Sequence, residues 1–173
     1  MTTITIPLIQ GRTNYISFPA TSSDNFETIF TSSGIINDIP ENRFTKFNPR
    51  TQSMEPVNYT NHIEKGVGYE IFVNSPANII YEGIEFTMTF DEITPRLLPG
   101  WNLIGVGTNI MIPLGWCKIF DSDNNVVTQL YPMRAYWIND DHCTKPTMSY
   151  GTSIAIIAST LVAFAILKQY KVI

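Results

Sequence analysis

Residues 97–105 read LLPGWNLIG, and a related stretch at residues 8–19 reads LIQGRTNYISFP. In each, a glycine stands two or three residues before an asparagine, and an apolar run follows. Gly11 and Gly100 predict turns that need a flexible backbone, each leading directly into a strand. The two stretches therefore predict the same strand-opening turn at two places in the chain.

Each opening is followed by a similar middle segment and a similar closing strand. The middles, FTKFNPRT at residues 44–51 and WCKIFDSD at residues 116–123, run from an apolar strand into a polar turn. The closing segments, KGVGYEIFVN at residues 65–74 and YPMRAYWIN at residues 131–139, are aromatic strands. Self-similarity of this kind indicates an internal repeat. The second copy is shorter because it lacks a segment matching residues 22–37.

Composition and alternation favour strands over helices. Aromatic residues make up 12% of the chain, which is enough to build a core, and Asn, Thr, Ile and Pro are frequent. This mixture is typical of strands and turns. Period-two alternation recurs in short runs, such as Ile4 and Ile6 or Tyr69, Ile71 and Val73.

One short helix is predicted in the first copy, at residues 24–30. Ser23 can cap its N-terminus, Asp24 and Glu27 suit the positive end of the helix dipole, and Gly34 lies just past its end. The predicted fold is therefore mainly β. It consists of two unequal tandem β-modules, with one short helix in the first, followed by a single C-terminal transmembrane α-helix.

The order of these segments resembles a small β-module found in bacterial and archaeal surface proteins, in which a G-W-N-L-I-S/G opening strand packs against a G-Y-W-I closing strand. The first copy departs from this pattern because no tryptophan follows Gly11, and the second has Trp101 but is shortened. The resemblance implies a β fold and a non-catalytic role at a surface. It implies no particular ligand.

The C-terminal segment predicts a membrane anchor. Residues 146–167 contain no charged side chain, and within residues 154–167 only Ser159 and Thr160 are polar. A helix of roughly 20 mostly apolar residues crosses a hydrocarbon core about 30 Å thick. A buried amphipathic helix is the alternative, and it is disfavoured because the apolar character runs all round the helix.

The domain boundaries follow from the repeat and the anchor. The predicted segments, in order, are a first β-module at residues 1–90, a second, shortened β-module at residues 91–139 with a connection at 91–95, a juxtamembrane linker at 140–148, a transmembrane helix at 149–168 and a short basic tail at 169–173. The expected partners are the lipid bilayer, through the C-terminal helix, and other protein subunits. These subunits would belong to a structural shell or contribute membrane helices.

Small residues recur along the predicted membrane helix. Gly151, Ala155, Ser159 and Ala163 are spaced four residues apart, which places them along one face. Faces of small residues let helices approach closely in lipid. The pattern predicts association of the anchor, either with itself or with a partner's membrane helix.

The two ends of the chain give conflicting topology signals. Residues 1–10 lack the basic and apolar regions of a signal peptide. Lys168 and Lys171 outnumber Lys145 on the other flank of the apolar segment, so the positive-inside rule places the β-domain outside the cytoplasm. A virion with an internal membrane would reconcile the two, with the domain between membrane and shell. The alternatives are a cell-envelope protein that binds glycan or an S-layer, and an accessory subunit of an integral membrane complex.

Charge and motifs argue against several function classes. The net charge is −4 and the Lys and Arg residues are scattered, so binding to nucleic acid is not expected. The chain contains no G-x-S-x-G, H-E-x-x-H, P-loop or G-x-G-x-x-G pattern. We therefore predict no catalytic residues, no cofactor and a non-enzymatic role.

No metal site is predicted either. Residues 121–125 (DSDNN) start like a calcium loop, but Val126 and Pro132 stand where that loop needs Gly and Glu, so a hairpin turn is expected. Residues 139–143 (NDDHC) concentrate metal-capable side chains. Zinc requires three or four ligands in paired spacings, and a polar linker is the preferred interpretation.

Three further candidates carry alternatives. Cys117 and Cys143 could form a disulfide or could be buried as small apolar residues. Asn58 begins an N-x-T glycosylation sequon, which has meaning only if the domain is extracellular. Four aromatic residues could form a carbohydrate platform, although a role in the core is preferred: Trp101, Trp116, Tyr136 and Trp137.

Overall fold

The computed structural model describes residues 1–143, which form a mainly β structure with a few short helical segments. This confirms the predicted fold class for that part of the chain. The predicted membrane helix at residues 149–168 and the basic tail lie outside the described residues, as do Gly151, Ala155, Ser159 and Ala163. Within residues 1–143, no helix has the length and apolar character needed to span a bilayer.

The strands are short, and all their pairings within the described residues are antiparallel. In chain order they are β1 (Thr2–Leu8), β2 (Thr13–Ser17), β3 (Ala20–Thr21), β4 (Phe44–Asn48), β5 (Ser53–Pro56), β6 (Gly68–Phe72), β7 (Ala77–Glu85), β8 (Trp101–Gly105), β9 (Ile110–Met111), β10 (Ile119–Phe120), β11 (Val126–Val127), β12 (Gln129–Leu130) and β13 (Ala135–Asn139). The helices are α1 (Phe26–Ser32) and the single turn α2 (Phe90–Ile93), with 3-10 turns at Thr94–Arg96 and Asp140–His142.

The first half of the structure contains two sheets around one core. A four-stranded sheet has the order β2-β6-β4-β5, and a three-stranded sheet has the order β1-β7-β3. Aromatic rings fill the space between them: Phe26 lies 4.9 Å from Phe44 and 5.4 Å from both Phe18 and Tyr69, between ring centroids. Contacts at these distances and tilted angles are favourable beyond simple burial.

Helix α1 begins two residues later than the sequence predicts. Its N-cap is Asn25, not Ser23, because the Asn25 side chain accepts a hydrogen bond of 2.9 Å from the Thr28 amide. Phe26, Ile29 and Phe30 lie on the buried face of the helix, which packs against the first core.

The second half repeats the sheet of the first. Its four-stranded sheet has the order β8-β13-β10-β11, which matches β2-β6-β4-β5 strand for strand. The register also matches, since Ile16 pairs with Tyr69 in the first sheet and Ile104 pairs with Tyr136 in the second. A smaller sheet of β9 and β12 accompanies the second core.

Each opening turn is held by its asparagine. The Asn14 Oδ1 accepts from the Ile9 amide at 2.8 Å, and its Nδ2 donates to the Ile9 carbonyl at 3.0 Å. Asn102 makes the same two bonds with Leu98, at 3.0 Å and 2.8 Å. Both asparagines are buried, so these bonds satisfy polar groups that would otherwise be costly.

Each closing strand is held by its tyrosine. The Tyr69 hydroxyl accepts from the Glu64 amide at 3.2 Å, and the Tyr136 hydroxyl accepts from the Tyr131 amide at 2.9 Å. In both cases the donor lies five residues before the tyrosine, and the ring is buried. The two sheets therefore share their side-chain anchors as well as their strand order.

The residues predicted as the connection, 91–95, form helical turns. Thr89 and Glu92 make a capping box, and Ile93 and Leu97 are buried in the second core. The connection is ordered because its apolar side chains cover that core.

The two four-stranded sheets meet through small residues at one end of their contact. A Cβ atom built on Gly105 would lie 2.2 Å from the Ser17 Cβ, and one built on Gly68 would lie 2.7 Å from the Ala135 Cβ. The Gly105 amide donates to the Gly66 carbonyl at 3.0 Å. The backbones therefore approach closely here, and larger aromatic residues occupy the rest of the contact.

Candidate binding cleft

An open cleft lies where aromatic residues replace the small ones. It has a volume of about 440 Å³ and is lined by Phe47, Gln52, Trp101, Asn124 and Trp137. These five residues define what we call the aromatic cleft. They come from both halves of the structure, so the cleft exists only when the two sheets are packed together.

Strand alternation directs the rings into the cleft. Successive side chains of a strand point to opposite faces of the sheet. On β13, Tyr136 and Ile138 are buried in the second core, so Trp137 points the other way. On β4, Phe44 is buried in the first core and Phe47, three residues later, lies on the opposite face.

The rings form a corner. Phe47 and Trp137 are 4.9 Å apart at an interplanar angle of 81°, and Trp101 and Trp137 are 6.3 Å apart at 88°. Tyr15 and Phe120 support the corner, at 6.2 Å from Trp137 and 5.9 Å from Trp101. Trp101 keeps 39% of its surface exposed, whereas Phe47 and Trp137 are half-buried.

Gln52 fixes the position of Trp101. Its Oε1 accepts from the Trp101 amide at 2.9 Å, and its Nε2 donates to the Trp101 carbonyl at 3.1 Å and to the Pro49 carbonyl at 2.7 Å. The amide side chain thus makes the bonds that a neighbouring strand would make. A Cβ at Gly100 would lie 2.8 Å from the Gln52 Oε1, so a larger residue there would displace the end of the Gln52 side chain.

Asn124 lines the cleft from the hairpin turn between β10 and β11. Asp121 organises this turn, since its Oδ1 accepts from the Asn125 amide at 2.9 Å and from the Asp123 amide at 3.0 Å. These hydrogen bonds, the one from Asn125 above all, hold the pKa of Asp121 below its usual range. Asn124 itself is exposed and has a φ of 62°, which asparagine tolerates well.

The five lining residues carry no formal charge. A carboxylate lies close by, because Glu70 pairs with Tyr15 across β2 and β6. Burial raises the pKa of Glu70, and the Arg43 guanidinium opposes that rise. The lining itself is therefore neutral, and the nearest carboxylate, Glu70, has an arginine beside it.

A second, smaller cavity of about 280 Å³ lies on another side of the contact between the sheets. Met88, Ile93 and Leu97 line it, with Lys65 and Arg96 at its edge. The cations have partners within the protein: the Arg96 Nη1 donates to the Lys65 carbonyl at 3.2 Å, and the Lys65 Nζ lies 5.2 Å from the centre of a phenylalanine ring. Fewer than half of the residues that line this cavity are buried.

The structure divides the four aromatic residues of the predicted platform into two pairs. Trp116 and Tyr136 are buried in the second core, as the preferred interpretation holds. Trp101 and Trp137 instead line the aromatic cleft. Sequence reasoning missed Phe47, Gln52 and Asn124, since no local pattern relates these residues to tryptophans more than ten positions away in the chain.

The remaining candidates lie apart from the cleft. Cys117 and Cys143 are joined by a disulfide, with their Cα atoms 4.4 Å apart. Asn58 is exposed, and its Oδ1 accepts from both the amide and the hydroxyl of Thr60. Among residues 1–143, no three His, Cys, Asp or Glu side chains converge as a metal site.

Comparison with known proteins identifies no relative: no protein-family model, curated protein or solved structure matches this chain.

Proposed function

We propose that the protein is a non-enzymatic, membrane-anchored interaction protein, which serves as a subunit of a larger assembly such as a membrane-containing virion. The observation that carries this proposal is the aromatic cleft. Partly exposed aromatic rings held in place by strands and backbone hydrogen bonds are typical of binding surfaces. The apolar segment at residues 146–167 supports the anchoring half of the proposal.

We further propose that the two halves are copies of one β-module. Three features support this: the identical strand order of the four-stranded sheets, the matching asparagine bonds of Asn14 and Asn102, and the matching tyrosine bonds of Tyr69 and Tyr136. A repeat joined through its own sheets would expose composite surfaces that a single copy lacks. The aromatic cleft is such a surface.

A cell-envelope role is the second candidate. In this role the β-domain faces outward and binds glycan or an S-layer. A cleft with aromatic walls and amide side chains favours it, and so does the exposed sequon at Asn58.

Protease protection on intact membrane particles, with mass spectrometry of the surviving peptides, separates the two contexts. Protection of residues 1–143 until the shell or membrane is opened is the result expected for a virion subunit. Immediate cleavage in intact particles is expected for an outward-facing envelope protein. Recovery of the chain in the soluble fraction after membrane sedimentation would contradict the anchor, and with it both contexts.

The small face of the anchor has its own test. Ala155→Leu combined with Ser159→Leu should reduce crosslinking of the anchor to itself or to its partner, because bulky side chains keep helices apart. The matched control is Ser153→Leu with Thr160→Leu, which a helix of 3.6 residues per turn places on the opposite side. Equal crosslinking of the two double variants would remove the proposed role of the face.

A further inference from the structure

We propose that the aromatic cleft binds neutral pyranose units of a glycan. The inference rests on the proposed binding role of the cleft in its outward-facing form, and it names the ligand class. Pyranose rings present C–H groups on their faces and hydroxyl groups around their rims. A ligand of this kind needs aromatic faces and amide groups in one place, and the cleft supplies both.

The ring corner matches the apolar side of a sugar. The faces of aromatic rings carry a negative quadrupole, which attracts the weakly positive C–H groups of a pyranose face. Trp101 offers the most accessible ring, with 39% of its surface exposed. Trp137 and Phe47 stand nearly perpendicular to each other at 81°, so a sugar stacked on one ring meets the edge of the next.

The amide side chain at the rim matches the polar side of a sugar. Asn124 is exposed at the tip of its hairpin turn, and a primary amide both donates and accepts hydrogen bonds. Sugar hydroxyl groups need partners of that dual character. The Gln52 amide, in contrast, is engaged with the Trp101 backbone and acts as a positioning residue.

Charge selects among glycans. None of the five lining residues is charged, and Asp121 and Asp123 lie in the turn that carries Asn124. The lining therefore offers no cation that could pair with a carboxylated, sulfated or phosphorylated sugar. The overall charge of −4 acts in the same direction.

The shape of the cleft favours a sugar over a proline-rich peptide. Polyproline segments lie as extended helices along aromatic-lined grooves. Here the planes of the Trp101 and Trp137 rings are at 88° to each other, so the two rings form a corner and not a straight groove. The volume of about 440 Å³ falls within the usual range for small-ligand pockets, which suits a short oligosaccharide segment.

Binding should require little reorganisation. Gln52 holds the Trp101 backbone on both its amide and its carbonyl, and Tyr15 packs against Trp137. Groups that are positioned before the ligand arrives cost less entropy when it binds.

The test titrates the full chain in detergent micelles with four neutral probes: cellotetraose, chitotetraose, maltotetraose and mannotetraose. Isothermal calorimetry and tryptophan fluorescence report binding. At least one probe should bind with saturation. Trp101→Ala should weaken the binding of that probe by about tenfold, which is the upper range for one ring contact. Asn124→Gly, which retains the positive φ, should weaken it severalfold.

Tyr131→Ala is the matched control, because Tyr131 is an aromatic residue of similar exposure, 45%, outside the cleft. The affinity of Tyr131→Ala for the sugar probe should equal that of the unchanged chain. Circular dichroism verifies that each variant is folded.

Absence of binding to all four probes at about 10 mM, far above the range of specific recognition, would overturn the inference. Binding of a decaproline peptide that Trp101→Ala abolishes, without sugar binding, would also overturn it and assign the cleft to peptides. Failure of the sugar titration leaves the protease-protection result unaffected, so the two proposals fail separately.

Discussion

At the scale of single residues, the Gln52 side chain makes backbone hydrogen bonds that a neighbouring strand would otherwise make. Gln52 lies in the β4–β5 turn with a φ of 53°, and it binds the amide and the carbonyl of Trp101. Gly100 makes room for that contact and itself has a φ of 86°. The orientation of an exposed tryptophan thus depends on two residues about 50 positions apart in the chain.

Gly100→Ala should lower the free energy of unfolding by about 1–3 kcal/mol and change the Trp101 fluorescence, because it adds backbone strain and displaces Gln52. Gly115→Ala is the control: its φ is similar, 75°, but an added Cβ has no atom within 4 Å. It should be less destabilising. Urea unfolding measures both variants, and equal losses would mean that contact with Gln52 is unimportant.

Glu70 predicts a pH dependence of stability. Burial raises the pKa of Glu70 in the folded state above its ordinary value. The protonated carboxyl group therefore stabilises the folded state fully at pH values below the ordinary pKa, and this stabilisation is lost as the pH rises through the folded-state pKa. We therefore expect the stability of Glu70→Gln, relative to that of the unchanged chain, to be higher at pH 7 than at pH 4. This difference should be no more than about 1 kcal/mol, because Glu70 is partly solvated.

Thermal unfolding at the two pH values measures the effect of Glu70→Gln. Glu41→Gln changes an exposed carboxylate that lies outside the strands and serves as the control. Identical pH profiles for Glu70→Gln and the unchanged chain would show that attraction to Arg43 cancels the cost of burial.

At the scale of elements, each closing strand serves two surfaces at once. The alternate residues of β13 divide between the second core and the contact with the first sheet. The same holds for β6, where Tyr69 and Ile71 are buried in the first core and Gly68 meets Ala135 across the contact. Small residues at one end of the contact and aromatic residues at the other leave an open cleft between the two sheets.

Gly105→Ala tests that contact. The added Cβ would lie 2.2 Å from the Ser17 Cβ and 2.8 Å from the Val67 carbonyl oxygen, so we expect a loss of about 1–3 kcal/mol. Adding Ser17→Gly should restore part of it by removing the nearer atom. A double-mutant cycle from urea unfolding measures the coupling. Strict additivity of the two changes would contradict the close approach of the sheets.

At the scale of the whole molecule, the two halves are connected in two ways. The helical turns of Phe90–Ile93 and Thr94–Arg96 lead from one core to the other, and the four-stranded sheets pack together. Within the second half, a disulfide between Cys117 and Cys143 joins the chain just before β10 to the chain just after β13. This bridge ties the C-terminal end of the described residues to the second core.

Removal of the disulfide should destabilise the second half. The bridge spans 26 positions, and closing a loop of that size stabilises a protein by about 3 kcal/mol. Cys117→Ser with Cys143→Ser should lower the free energy of unfolding by that order in urea titrations. Reducing agent should affect the unchanged chain equally and the double variant not at all. Stability that is indifferent to both treatments would show that the bond is absent in solution.

The sequence by itself determined the mainly β class, the strand-opening turns at Gly11 and Gly100, the hairpin at residues 121–125 and the presence of a short helix ending before Gly34. These features depend on the alternation of apolar and polar residues, on the backbone freedom of glycine and on side-chain hydrogen bonds within a few residues. All three can be recognised in the local sequence. Only the tertiary structure decided that Asn25 caps α1, that residues 91–95 are ordered, and that Trp101 and Trp137 line a cleft while Trp116 is buried. Each of these depends on which surface a distant segment covers, and Phe47, Trp101 and Trp137 meet only because two sheets pack through Gly68 and Gly105.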